Sequence, residues 1–124
     1  MTSSLLIPIY TTKGDADAFL QCPYLFNRNG DWIGFVTPMR EVYSVLGDFV
    51  GTLTNDPRII RKRGTSTLRP RLSPPQSPPK IYPPASVPLP RLMGDLSHSV
   101  IDVLQEAPER LHTVDSGDQR QDLD

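Results

Sequence analysis

The stretch LFNRNGDWIGFV, residues 25–36, reads as one β-hairpin. Leu25 and Phe26 precede a polar centre, and Trp32, Ile33, Phe35 and Val36 follow it. Each half is too short for a helix and is rich in the aromatic and β-branched residues that strands favour. At the centre, Asn29-Gly30 predicts a type I′ turn, because both central positions of that turn need positive φ.

Two further stretches align with it without gaps: IYTTKGDADAFL, residues 9–20, and VYSVLGDFVGTL, residues 42–53. The Gly-Asp pairs are Gly14-Asp15, Gly30-Asp31 and Gly47-Asp48. An aromatic stands four residues before each glycine (Tyr10, Phe26, Tyr43), and a small residue stands four after it (Ala18, Gly34, Gly51). A fourth unit opens at Arg58-Ile59-Ile60 and keeps Gly64 in phase. It then decays, with Thr65 for the aspartate and Leu68 for the small residue. Pro23, Pro38 and Pro57 fall in the links, where a residue without an N–H interrupts ladder pairing.

A repeat this short cannot bury its own apolar face, so the units must stack or close on one another. The expected fold is all-β: a shallow four-fold barrel of repeated hairpins. Small residues at Ala18, Gly34 and Gly51 suit a place where strands crowd together. The aromatics Tyr10, Phe26, Trp32, Phe35 and Tyr43 are expected to line its core or a channel through it. A plain meander is the alternative architecture.

The pattern Y-x-x-x-G-[DE]-x-x-G, best seen in LFNRNGDWIGFV and VYSVLGDFVGTL, resembles the four-fold beta-flower family over roughly residues 5–66. NDPRIIRKR, the proline-rich stretch and the segment Ile101–Glu109 are similar to a subgroup of it. The resemblance implies hairpin petals around a short channel and implies no reaction. Ala18 in place of glycine, Asp17 where Ile33 and Val50 stand, and the lost fourth aspartate depart from the pattern.

Beyond the repeats the composition changes. Nine of the 14 prolines lie between Pro70 and Pro90. The net charge of −1 conceals −3 over residues 1–56, +8 over residues 57–94 and −6 over residues 95–124. The expected division is a hairpin-repeat domain over 1–66, a proline-rich linker over 67–91, a short amphipathic helix over 92–107 and an acidic disordered tail over 108–124. Polyproline-type backbone buries no core, so the linker reads as a spacer. Its Pro75–Lys80 segment has a PxxPx-basic spacing that also suits an aromatic-lined groove. Leu92, Leu96, Val100, Val103 and Leu104 fall near helical spacing, with Asp95 as N-cap, and form the candidate partner helix. So short a helix must dock on its own barrel, a second copy or a partner.

Catalytic chemistry finds no support. His98, His112 and the single cysteine, Cys22, have no metal-ligand or nucleophile–base spacing. There is no phosphate loop and no dinucleotide fingerprint. Asp15, Asp31 and Asp48 are related by the repeat, but turn carboxylates usually face solvent. No cofactor and no metal site is expected. The basic run Arg58, Arg61, Lys62, Arg63, Arg69 and Arg71 is the candidate anion-binding feature, for phosphates of nucleic acid or lipid; neutralisation by the acidic end is the plainer reading. With one cysteine, no basic leader and no long apolar run, a cytoplasmic location without a transmembrane segment is expected. The functional expectation is a non-catalytic interaction or assembly module that self-associates or meets a protein partner through its tail. The first alternative is a small apolar-ligand or lipid-binding domain, and the second a weak nucleic-acid binder using residues 58–71.

Overall fold

Three hairpin turns are built alike, and their first residue explains why. Thr11, Asn27 and Ser44 each receive the N–H of the glycine three residues on, at 2.9, 3.0 and 2.9 Å. Each side-chain oxygen also accepts the N–H of the aspartate four on, at 3.3, 3.0 and 3.2 Å. Positive φ falls on the glycines alone, at 99° for Gly14, 86° for Gly30 and 90° for Gly47. This is a three-residue loop closed by a left-handed glycine rather than the expected type I′ turn, because only its last position must leave the right-handed region. The link at Thr37–Glu41 copies it, with Arg40 at φ 64° in the glycine's place. A cis peptide joins Cys22 to Pro23.

The computed structural model describes residues 5–63 and 70–114. Among these, the strands are β1 Ile7–Tyr10, β2 Ala16–Gln21, β3 Tyr24–Asn27, β4 Trp32–Val36, β5 Glu41–Ser44, β6 Phe49–Leu53, β7 Ile59–Lys62 and β8 Val100–Asp102. They form one antiparallel sheet in sequence order. The expected all-β fold of repeated hairpins is what the chain adopts, as a curled half-barrel.

Each of the first three hairpins carries a bulge at the same place. Ile9 pairs with Ala18 and Tyr10 with Ala16; Leu25 with Gly34 and Phe26 with Trp32; Val42 with Gly51 and Tyr43 with Phe49. Asp17, Ile33 and Val50 are the residues passed over. A bulge adds twist and bend to its strand, so three in phase curl the sheet. The small residues next to the bulges permit the curl. A Cβ on Gly34 would stand 2.4 Å from the Tyr43 carbonyl oxygen, and one on Gly51 2.3 Å from that of Ile60.

Alternation then sorts the side chains. Ile9, Leu25, Val42, Val50 and Ile59, from strands as distant as β1 and β7, share one aliphatic cluster on the enclosed side. The aromatics take the other face: Phe35 stacks on Tyr43 at 5.5 Å, and Phe49 meets Tyr43 edge-on at 5.6 Å. Phe26 and Trp32 form a second cluster with Val45. The expected core aromatics are therefore buried, but on the face opposite the aliphatic interior.

The fourth hairpin departs from expectation. β7 pairs with β8, Ile60 opposite Asp102 and Lys62 opposite Val100, so its second strand arrives only after the whole proline-rich stretch. Gly64, Thr65 and Leu68, read as the closing turn and strand, lie outside the described residues. Correspondingly, the helix expected over 92–107 is one turn, α1, Val103–Glu106, capped by Asp102 rather than Asp95. Leu92 is wholly exposed, and Val100 lies in β8. Ladder hydrogen bonds on the open edge of β7 outweigh the weak helical preference of Val100-Ile101-Asp102.

Past α1, Leu111 is buried and joins Val103 and Leu104 in the aliphatic cluster. These three side chains fill the mouth of the curled sheet, each contributing about 1.5–3 kcal/mol if fully buried. The folding unit thus runs past the expected boundary at residue 66 and into the stretch read as an acidic tail. The docking expected of the helix occurs, through a shorter segment.

Candidate functional site: the strap over the hairpin turns

The described part of the proline-rich segment, residues 70–91, has no regular structure, yet it is not a free spacer. It runs over the turns in reverse order. The Leu72 N–H donates to the Gly47 carbonyl and the Ile81 N–H to the Gly30 carbonyl, both at 3.0 Å. Pro90 then stands over Gly14. Finally the Arg63 N–H, at the end of β7, donates to the Ser99 carbonyl at 2.7 Å. The contact residues 72, 81, 90 and 99 are evenly spaced, nine apart. About 3.1 Å per residue in extended polyproline backbone gives each step roughly 28 Å of reach.

A sequence repeat underlies that spacing. Arg71-Leu72-Ser73-Pro74-Pro75 returns as Lys80-Ile81-Tyr82-Pro83-Pro84, with Ser77 and Pro79 answered by Ser86 and Pro88. Each copy offers a cation to a turn carboxylate. Arg71 Nε meets Asp48 Oδ1 at 2.8 Å, and Lys80 Nζ meets Asp31 Oδ1 at 3.6 Å. The carboxylate raises the Arg71 pKa, chiefly through that hydrogen bond. Two of the three turn aspartates therefore do hold a cation, that of the chain's own strap. Ile81 also packs against the Phe26–Trp32 cluster, and Tyr10 Oη donates to the Pro88 carbonyl at 2.7 Å. The nine-residue repeat is present in the sequence but masked there by the density of prolines, which makes chance spacings common.

The expected anion-binding run is dispersed among intrachain partners. Arg58 is buried, bound to Asp56 at 2.6 Å and donating to Thr12 Oγ1 at 3.2 Å. Arg61 donates to the Phe49 and Val50 carbonyls and lies over the Phe49 ring; burial, and then Arg110 nearby, lower its pKa. Arg63 donates to the His98 carbonyl and pairs with Glu106 at 3.8 Å. Lys62 ends β7, and Arg69 lies outside the described residues.

The candidate partner helix is likewise divided: Leu92 and Leu96 sit on the strap, Val100 in β8, and Val103 and Leu104 in the core. Of the candidate channel aromatics, Tyr10 borders a cleft of about 720 Å³ beneath strap residues 83–89, and Trp32 borders a smaller one of about 280 Å³ beside Ser77 and Pro78. Trp32 Nε1 donates to the Gly34 carbonyl at 2.7 Å. Among the described residues no group of three or more His, Cys, Asp or Glu side chains is placed to hold a metal ion, and no helix is long and apolar enough to cross a membrane.

Asp17 stands where the other two bulges carry Ile33 and Val50. Burial raises its pKa, against the lowering effect of Arg28, whose Nη1 lies 3.7 Å away.

No curated protein and no solved structure matches the chain. The family model described as 4-fold beta flower protein matches residues 7–99 and so takes in strands β1–β7 and the strap. The chain belongs to the 4-fold beta flower family.

Proposed function

We propose that the chain is a non-catalytic interaction module, in which a curled half-barrel holds a proline-rich strap ready for a protein partner. One observation carries this reading. Tyr82, Leu89 and Leu92 are 86%, 89% and 102% exposed, on a segment whose backbone is fastened from behind at Gly47, Gly30 and β7. Large apolar side chains held outward on an ordered support favour binding. The ordering cost, about 0.5–1.5 kcal/mol per immobilised side chain and more for a loop, is largely met within the chain. Aromatic-lined grooves recognise extended proline-rich segments of this kind. The apolar-ligand reading has less support, since Val103, Leu104 and Leu111 occupy the enclosed side.

The test is photo-crosslinking of the full chain in cells with a benzophenone side chain at position 82, compared with one at buried position 26. Intermolecular adducts specific to position 82, reduced by Leu89→Ser with Leu92→Ser, support the reading. Adducts equal at both positions sink it. Native mass spectrometry of the same chain separates self-association, seen as whole-number multiples, from binding to another protein.

A further inference from the structure

Two of the three turns are filled alike. At Gly47-Asp48 and Gly30-Asp31 the strap supplies a cation to the aspartate and, from the next residue, an N–H to the glycine carbonyl. Nine residues further on it brings Leu89-Pro90 to Gly14-Asp15, where Leu89 carries no charge and Pro90 has no N–H to donate. Asp15 is exposed and forms no ion pair with a described residue. The strap also stands off here. A Cβ on Gly30 would lie 1.8 Å from the Ile81 carbonyl oxygen and one on Gly47 2.0 Å from that of Leu72; on Gly14 the nearest atom would be Pro90 Cγ at 3.7 Å. The space beside this turn is the cleft of about 720 Å³, walled by Asp15, Tyr10 and Phe19 on one side and by residues 83–89 on the other.

We propose that this cleft is a docking site for an extended, proline-rich peptide of a partner protein, one carrying Arg or Lys followed by Leu or Ile. The required chemistry is displayed at the other two turns. The cation pairs with the Asp15 carboxylate, the next amide donates to the Gly14 carbonyl, and the aliphatic side chain packs toward Phe19 and Tyr10. Arg28, the cation bordering the cleft, is drawn toward Asp17 at 3.7 Å, which tempers its repulsion of a basic peptide. Two of the strap's own copies of the motif are held at turns two and three; the third, Arg91-Leu92, falls two residues beyond the nine-residue phase and leaves Leu92 exposed, so the spacing brings none to the first turn. The site goes beyond the outward-facing use of the strap and rests on the Gly14-Asp15 turn; the two share Leu89 at the cleft's edge, but Asp15→Asn leaves that side chain untouched, so either can fail alone.

The probe is the fluorescent nonapeptide RLSPPQSPP, the sequence of residues 71–79, titrated onto the full chain by anisotropy. Saturable binding is expected. It should weaken about threefold or more in Asp15→Asn, or when the peptide arginine is alanine, as an exposed ion pair of up to about 1 kcal/mol allows. Asp31→Asn and Asp48→Asn should retain it. The double substitution Leu89→Arg with Pro90→Leu completes the strap in cis; it should abolish peptide binding and raise the melting temperature. Absence of saturable binding overturns the proposal, as does indifference to Asp15→Asn. Loss of binding in Asp48→Asn also overturns it, since the probe would then be exchanging with the strap at its own turn. A concentration-dependent dimer that Asp15→Asn dissolves replaces the partner protein with a second copy and equally overturns the assignment.

Discussion

Asp102 joins the two ends of the sheet: its Oδ2 accepts both the N–H and the Oγ1 hydroxyl of Thr12, each at 2.7 Å. β1 and β8 are the outermost strands of the order, so the curled sheet is drawn together by a side chain. Arg58 Nη1 donates to the same Thr12 hydroxyl at 3.2 Å, and Asp102 Oδ1 accepts the Gln105 N–H at the start of α1. Asp102→Ala should therefore cost about 2–3 kcal/mol, because it removes charge-assisted bonds and leaves the Thr12 amide to find water. Asp102→Asn, which keeps an acceptor, should cost less. Urea denaturation of both variants checks the order.

Truncation separates the two views of the chain boundary. A chain ending at residue 66 lacks β8 and the buried Val103, Leu104 and Leu111. It should lose cooperative unfolding and near-ultraviolet circular dichroism. If residues 1–66 unfold with an unchanged sharp transition, the closing segment is dispensable.

The turn glycines divide by what lies over them. Alanine at Gly14 meets ordinary space and pays only for a positive φ, roughly 1–2 kcal/mol. Alanine at Gly30 meets the strap backbone at 1.8 Å as well. Gly30→Ala should therefore destabilise more than Gly14→Ala and should raise amide exchange at Ile81. Equal costs and unchanged Ile81 protection would show that the strap is not seated there.

Asp56 is hydrogen-bonded by Arg58 and by the Thr54 hydroxyl, and the Arg58 bond chiefly holds its pKa below the usual carboxylate value. A lowered folded pKa contributes stability that is complete above the unfolded value, about 3.9, and is lost as pH falls through the folded one. The urea midpoint should fall on acidification below about pH 4, less steeply in Asp56→Asn. Identical slopes would remove Asp56 from the account.

Asp17 carries the opposite sign. Its raised pKa means that the charged form is disfavoured in the fold, so protonation stabilises as pH falls through that raised value. Asp17→Ile restores the residue type of Ile33 and should stabilise by about 1 kcal/mol at pH 7, since the site is only partly buried. A loss of stability would mean that the Arg28 pair outweighs burial.

The repeat, the hairpins, the glycine turns and the place of the curl were legible in the residues. Each rests on local chemistry: alternation of apolar positions, a capping Thr, Asn or Ser, and a glycine four residues before each small one. Asp17 stood out because the other two units carry aliphatics. The turn type was not legible from Asn29-Gly30, because Asn-Gly serves two loop lengths and the position of Asn27 decides between them. The partner of β7, the single turn of α1 and the filling of the sheet's mouth by Leu111 depended on contacts spanning tens of residues. No local preference encodes such contacts; an open strand edge and an unfilled apolar mouth select whatever segment can reach them. The strap belongs to both kinds. Its nine-residue rhythm is written in the chain, but that rhythm acquires meaning only when folding sets three Gly-Asp turns at matching intervals along its path.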